Sequence, residues 1–340
     1  MSGDAQPVEI DGSFGEGGGQ MLRTALGLSA VLGKPFLMTN IRAKRRRPGL
    51  QNQHLRAVEL MQQLTKAEVR GNFIGSDELK FIPKRRPEGS VSMQTGTAAS
   101  LMLIIQPVII ASLAGGEIVA DLKGGTDVPM APTSDYVKYV ELPLLRSFGL
   151  VASIDIVRRG YYPAGGGYVR FWVMGWSPAP LHVRRGESIR EIRVHALACS
   201  LPKHVAEREA QAAVEFIRST LGLQSKTLTS TCNESVGTNV LVYADLVTSL
   251  LGADALGEKG KPAELVGSEA AESLVREVKS NASVDVHMGD MLLPFIGLRG
   301  GSFSVRDLTA HMMSNSYVVK QFTGTQIKFE RQGDLWLVSA

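Results

Sequence analysis

Apolar residues recur at three- and four-residue intervals through MLRTALGLSAVLG (Met21 to Gly33), a glycine closes the run, and KPFLMTNI (Lys34 to Ile41) follows with a strand-like pattern. The change of period predicts a helix and then a half-buried strand. An arginine-rich loop comes next, and then a second helical pattern, QNQHLRAVELMQQL (Gln51 to Leu64). The same order returns in AASLMLIIQPVIIASLAGG, EIVADL, KGGTDVPMAP and SDYVKYVELPLL, between Ala98 and Leu145. It returns again in DMLLPFIGLRGG, SFSVRDL, TAH and MMSNSYVVKQF, between Asp290 and Phe322. Three similar units predict an α/β (α+β) fold built by repetition. Arg23, Arg42, Thr126, Asp127 and His311 then fall at helix starts or in strand-to-helix loops, where a rigid scaffold positions binding groups.

The third unit comes late. From about Arg185 to Lys279 the pattern differs: a turn at Arg185 to Glu187, a strand at Ile189 to Ala198, and a helix through HVAEREAQAAVEFI. Further strands follow, then the polar run Gly257 to Glu264 and a helix at Ala270 to Lys279. This predicts an inserted α/β domain at 185–279, with 1–184 and 280–340 forming the three-repeat body. A chain of 340 residues is long enough for both.

Composition narrows the function classes. With 44% hydrophobic and 21% charged residues the chain is globular, not disordered. The net charge is only +4, yet Arg42 to Arg47 and Lys84 to Arg86 concentrate basic side chains. The first cluster suits a polyanionic partner, while the second reads as a solvated loop. Two cysteines, Cys199 and Cys232, cannot build a disulfide framework or a Cys-type zinc site, so a reducing compartment is expected. No basic flank precedes an apolar run at the N-terminus, and the most apolar stretch, Leu101 to Ala114, is too short for a bilayer and reads as a buried helix. A cytoplasmic location without membrane attachment is the expectation.

Candidate chemistry begins at GEGGGQMLRTAL, Gly15 to Leu26. Glycines ahead of a helix allow close backbone approach to an anion, but neither common nucleotide fingerprint can be read here. Glu16 would repel a bare phosphate, so a divalent cation between acid and polyphosphate makes physical sense of it; a tight turn with a solvated glutamate is the plain alternative. Arg23, Arg42 and Arg45 could meet as a guanidinium clamp for phosphate if the repeats pack side by side. Of six histidines, His311 stands at the start of a helix, whose positive end would keep the imidazole neutral and nucleophilic; a satisfied loop histidine is the plainer reading of the residues alone. His182, His195 and His204 read as structural.

The blocks DGSFGEGGGQMLRTALGLS, IRAKRRRPGLQNQH, GGTDVPMAP, YYPAGGG, PKHVAEREA and HMGDMLLPF, followed by the histidine at 311, resemble in that order the RNA 3′-terminal phosphate cyclases along nearly the whole chain. The resemblance implies three units, each a four-stranded sheet with two helices, and a smaller thioredoxin-like α/β domain inserted before the third. It implies ATP-dependent conversion of an RNA 3′-phosphate to a 2′,3′-cyclic phosphate, with Mg²⁺ or Mn²⁺, through a histidine–AMP phosphoramidate on His311 and an adenylylated RNA end. It also implies residue roles. Glu16 would be the metal carboxylate, and Gln20 would lie beside the nucleotide phosphates. Gln106, His287, Met288, Gly289, Asp290 and Met291 would form the ATP pocket, with Tyr136 packed on adenine. Arg23, Arg42, Arg45, Gln53 and His54 would receive the RNA end and the triphosphate. The family often has tyrosine where His287 stands and glutamine where Met291 stands. For PKHVAERE and YYPAGGG, turn and packing roles are expected. The competing readings are a non-catalytic relative acting in rRNA maturation, against which the presence of His311 speaks, a small-molecule transferase on the same repeat fold, and a plain RNA-binding protein.

Overall fold

The computed structural model describes residues 6–340; the first five residues of the segment 1–184 lie outside the described residues. The first unit is β1 (Val8–Asp11), α1 (Gly19–Leu32), β2 (Phe36–Thr39), α2 (Asn52–Thr65), β3 (Glu68–Arg70) and β4 (Leu79–Ile82). Its sheet runs β1-β2-β4-β3, with β1 and β2 parallel and the other pairs antiparallel. The second unit repeats this with β5 (Gly89–Gln94), α3 (Leu101–Ala111), β6 (Glu117–Gly124), α4 (Ser134–Tyr136), a π-helical turn at Val137–Glu141, α5 (Leu142–Ser147), β7 (Val151–Arg158) and β8 (Gly167–Met174), in the order β5-β6-β8-β7.

The third unit opens with a two-residue strand, β9 (Leu181–His182). There the chain leaves to form β10 (Glu191–Cys199), α6 (Lys203–Leu221), β11 (Lys226–Cys232), β12 (Gly237–Asp245), β13 (Leu250–Leu256) and α7 (Ala263–Ser280), a separate sheet in the order β11-β10-β12-β13. It returns as α8 (Val286–Arg299), β14 (Gly301–Val305), α9 (Ala310–Thr323), β15 (Lys328–Gln332) and β16 (Leu335–Ser339). β14 lies beside β9 in parallel, with Gly301 opposite Leu181. The extra sheet therefore interrupts the third unit after its first strand; it does not precede the unit. Arg185 holds the crossing together by donating to the carbonyls of Ala282 (3.0 Å) and Val278 (3.1 Å) where the chain comes back.

The three helical layers share one core. α1 is buried almost throughout, from Gln20 to Ala30, because it packs against α2, α3 and α9 together. A Cβ on Gly27 would lie 2.7 Å from the Ile110 Cβ, so α1 and α3 approach as closely as they do only with glycine there. The apolar run from Leu101 is the buried helix that its composition predicts, with Ser100 capping it by accepting from Leu103 N. Among the described residues no helix is long and apolar enough to cross a membrane.

Two motifs acquire packing roles. Tyr161 of YYPAGGG is buried and donates to Asn239 Oδ1 (2.5 Å), and Asn239 donates in turn to Asp135 Oδ2 (2.8 Å). Arg159 pairs with Asp127 (3.2 Å) and Asp135 (2.7 Å) in the same buried network, which joins the second unit to β12. Asp127 is thus spent on scaffolding, not on ligand binding. PKHVAEREA starts α6, where buried Glu209 accepts from Thr238 Oγ1 (2.6 Å). Cys199 and Cys232 are register partners on the parallel strands β10 and β11, and they form a disulfide. They lie 33 residues apart in sequence and become neighbours through strand pairing.

Candidate active site

All three units reach the first turn of α1. Gly18 and Gly19 open that helix without a side-chain cap, so its first amides face outward with no residue of their own to satisfy them. A methyl group placed on Gly18 would lie 2.8 Å from Glu16 Oε1, 3.1 Å from Arg45 Nη2 and 3.6 Å from His311 Cε1. One placed on Gly19 would lie 2.2 Å from His54 Nε2 and 3.2 Å from Arg23 Nη1. Five functional side chains thus crowd two glycines, and the absence of Cβ atoms is what makes room for them.

Glu16 carries two partners. Its Oε2 pairs with Arg45 (3.1 Å), and its Oε1 meets Nδ1 of His311. The His311 side chain keeps 42% of its surface exposed, so the ring is open to a reactant. Its pKa is lowered, first by burial and then by Arg23 and Arg45, against the pull of Glu16, so the neutral ring prevails at neutral pH. His311 occupies the second position of α9, and Thr309 caps that helix by accepting from Met312 N (3.0 Å). The same Thr309 hydroxyl donates to Asp290 Oδ1, which fixes the turn bearing the histidine. Burial foremost, with the Asp285 and then the Glu16 carboxylate adding to it, pushes Asp290 up to about 7.

Arg23 is buried and donates through Nε to Gln106 Oε1 (2.8 Å), so the second unit aims the arginine of the first. Desolvation lowers it to about 10, which still leaves it charged at neutral pH. Gln20, Arg23, Gln106, Asp290 and Met291 share the lining of one small cavity, together with Asn315. Asn315 was not legible as a site residue. It accepts from Thr24 (2.9 Å) and donates to the Asp290 carbonyl (3.2 Å), linking α1, α8 and α9 behind the site. Lys44 was missed as well: its Nζ donates to the Gly15 carbonyl (3.0 Å) and ties the arginine loop to the glycine turn.

Other expected residues are placed differently. Met288 lies wholly within the core and Gly289 packs on Met312, where a Cβ would come within 2.5 Å of Cε. Tyr136 is buried and donates to Asp285 Oδ1 (2.8 Å), so its hydroxyl is engaged within the fold. His287 is exposed on the first turn of α8, and Gln53 is half-buried on the first turn of α2. Arg42 uses Nη1 to bond the carbonyls of Arg47 (2.5 Å) and Gly49 (2.8 Å), so it shapes the basic loop before it can offer anything to an anion.

His54 is the most firmly held. Nδ1 accepts from Gln51 N (3.1 Å), which leaves the proton of the neutral ring on Nε2, facing Gly19. Burial, with Arg23 and Arg42 nearby, pushes its pKa down to about 3. The unfolded chain takes up this proton below about pH 6.5 and the native state only near 3, so stability present above 6.5 is lost as pH falls through that window. At 1.36 kcal/mol per pH unit the loss approaches ~5 kcal/mol. In urea titrations at pH 7 and pH 4.5, His54→Gln should lose clearly less stability on acidification than the parent; equal losses would refute the linkage.

A repeated α/β body that presents a half-exposed histidine, an acid and arginines at one helix terminus suits a phosphate-handling enzyme class. The chain belongs to the RNA 3′-terminal phosphate cyclase family, whose model matches residues 14–329. It is 43% identical over 324 residues to the RNA 3′-terminal phosphate cyclase of Sulfurisphaera tokodaii, covering 94% of this chain and 95% of that protein. It is 42% identical over 323 residues to the protein of the same name from Saccharolobus islandicus strain L.S.2.15, covering 94% and 95%. It is also 42% identical over 320 residues to that from Pyrococcus abyssi, covering 93% of each chain.

Proposed function

We propose that this chain uses ATP to convert an RNA 3′-terminal phosphate to a 2′,3′-cyclic phosphate. The observation that carries the reading is the half-exposed ring of His311, set against Glu16 and Arg45 at the open start of α1. A phosphate monoester is a poor electrophile with a poor leaving group, and adenylylation supplies AMP as a good one. His311 attacks the α-phosphorus of ATP and pyrophosphate leaves. An oxygen of the RNA terminal phosphate then attacks the adenylate phosphorus, the P–N bond breaks, and the histidine is freed. The 2′-hydroxyl finally attacks the terminal phosphorus and expels AMP.

The residues divide this work. Glu16 Oε1 lies against Nδ1 of His311, so Nε2 is the ring nitrogen left to attack. Gln106 sets the angle of Arg23, and Arg23 and Arg45 receive phosphate oxygens beside the first amides of α1. His54 adds a neutral N–H donor on the same rim. The donor chemistry also fits a divalent cation. Glu16 Oε1 lacks hydrogen-bond geometry to any partner, and among the described residues no trio of metal-ligating side chains gathers around it. Mg²⁺ or Mn²⁺ held by Glu16 would therefore take most of its ligands from phosphate and water, and would neutralise charge on the triphosphate. RNA binding at the loop Arg42 to Arg47 is expected to weaken steeply with salt through counterion release.

Incubation with α-³²P-labelled ATP and Mg²⁺ or Mn²⁺ tests the proposal. The expected result is a labelled protein band that a 3′-phosphorylated oligonucleotide discharges, leaving a phosphatase-resistant cyclic end. RNA binding without any labelled band would reject the enzyme and leave a binding protein.

A further inference from the structure

The sequence shows no aromatic platform for bases, but the structure builds one beside the site. Phe14 precedes Glu16 by two residues, and its ring stacks on Tyr317 of α9 with centroids 4.2 Å apart and planes within 17°. Tyr317 covers one face of the Phe14 ring, and Phe14 still remains 42% exposed. The pair is also held still. Tyr317 accepts through its hydroxyl from Asp11 N (3.1 Å). The Phe14 amide donates to the Asp11 carbonyl (3.1 Å), and its own carbonyl accepts from Gly17 N (3.1 Å). Asp11 Oδ1 receives Ser13 N (3.0 Å), Ser13 Oγ (2.8 Å) and Asn40 Nδ2 (3.1 Å), which fixes the turn from below. An exposed phenylalanine on so rigid a turn is a surface built for stacking rather than a side chain left over from the core.

Its surroundings select the ligand. Tyr317 follows His311 by six residues on α9, about 9 Å along the helix axis and about 120° around it. That is the scale separating a reacting phosphate from the base of its own nucleotide. Lys44 ties the Arg42 to Arg47 loop to the carbonyl of Gly15, the residue next to Phe14, so positive charge for a phosphate backbone adjoins the shelf. By contrast, the cavity lined by Gln20, Arg23, Gln106, Asp290 and Met291 touches neither aromatic ring.

We propose that Phe14, backed by Tyr317, is the stacking platform for the nucleobase at the 3′ end of the RNA. Stacking accepts any base, so the shelf secures the end of the strand without dictating its sequence. The proposal rests on the RNA-end reading above and adds a base-binding subsite to it.

A 3′-phosphorylated oligonucleotide carrying 2-aminopurine as its last base reports stacking by fluorescence quenching. The wild-type chain should quench it on binding. Phe14→Ala should weaken binding about tenfold or more and abolish the quench, and Phe14→Trp should restore both. Tyr317→Leu, which removes the backing ring, should give an intermediate loss. The KM for ATP in self-adenylylation should stay unchanged in all three. A raised KM for ATP with unaltered RNA affinity would assign the shelf to adenine and overturn the proposal, as would quenching that survives Phe14→Ala. Quenching by a wild-type chain that forms no AMP adduct would sustain the shelf while rejecting the catalytic reading.

Discussion

Replacing His311 with alanine should eliminate the covalent AMP adduct and lower cyclisation by at least 10⁴-fold, while leaving the fold intact. Loss of a nucleophile is not compensated by the groups around it, and knockouts of this kind commonly cost ~10⁶. The ring is half-exposed at the second position of α9, and the cap that holds that helix belongs to Thr309, so stability should change little. Autoradiography of the protein after incubation with α-labelled ATP measures the first effect, and thermal unfolding measures the second. The pH dependence adds a sharper test. Only the neutral ring can attack, and burial with Arg23 and Arg45 holds the His311 pKa below its ordinary value. Self-adenylylation should therefore persist below pH 6.5 and fall only on the acid side of the depressed pKa. In Glu16→Gln the carboxylate that opposes this depression is gone, so the acid limb should move lower still while the rate drops. An acid limb at or above 6.5, or labelling that survives His311→Ala, would place the nucleophile elsewhere.

Much of this site is legible in the linear chain, and the reasons for the rest are physical. Helical period and glycine punctuation place His311, Arg23 and Arg45 beside helix starts, because amphipathic spacing is a local property. The sequence reads a strand at His182, and in the structure it is only two residues long, Leu181–His182. That strand exists because Gly301 and Ser302 pair with it from across the inserted sheet. The same holds for Cys199 and Cys232, which meet only once β10 and β11 are in register. Met288 and Tyr136 come out buried for a different reason. A matching block names a neighbourhood, but each helical residue turns about 100° from the last, so His287 can be exposed while Met288 is fully buried. Phe14 escaped notice because a lone aromatic in a glycine turn means little until Tyr317 arrives beneath it from the other end of the chain.

Gly19→Ala should lower both stability and rate, the rate by roughly 10², although it adds only one methyl group. Glycines in such a turn suggest backbone freedom, yet Gly19 is the first residue of α1 and lies outside the positive-φ set. Space is the constraint. The new Cβ would fall 2.2 Å from His54 Nε2 and 2.9 Å from its Cδ2. That ring cannot swing aside, because it is buried and anchored through Gln51, while Arg23, 3.2 Å from the same point, is anchored through Gln106. The start of α1 must move instead. Overpacking of this kind costs about 1–3 kcal/mol, and a shift of ~1 Å in reacting groups lowers rates by roughly 10². Gly18→Ala provides the contrast. Its Cβ would meet Glu16 Oε1 at 2.8 Å, the far end of a flexible side chain that can rotate away. Stability should then be nearly preserved, but the Glu16 carboxylate would leave His311, and adenylylation should fall. Chemical denaturation and single-turnover labelling of the two variants separate these effects. If Gly19→Ala folds and labels like the parent, the crowding around the first turn of α1 does not govern the chemistry, and the assignment of His54 and Arg23 to the anion site loses its basis.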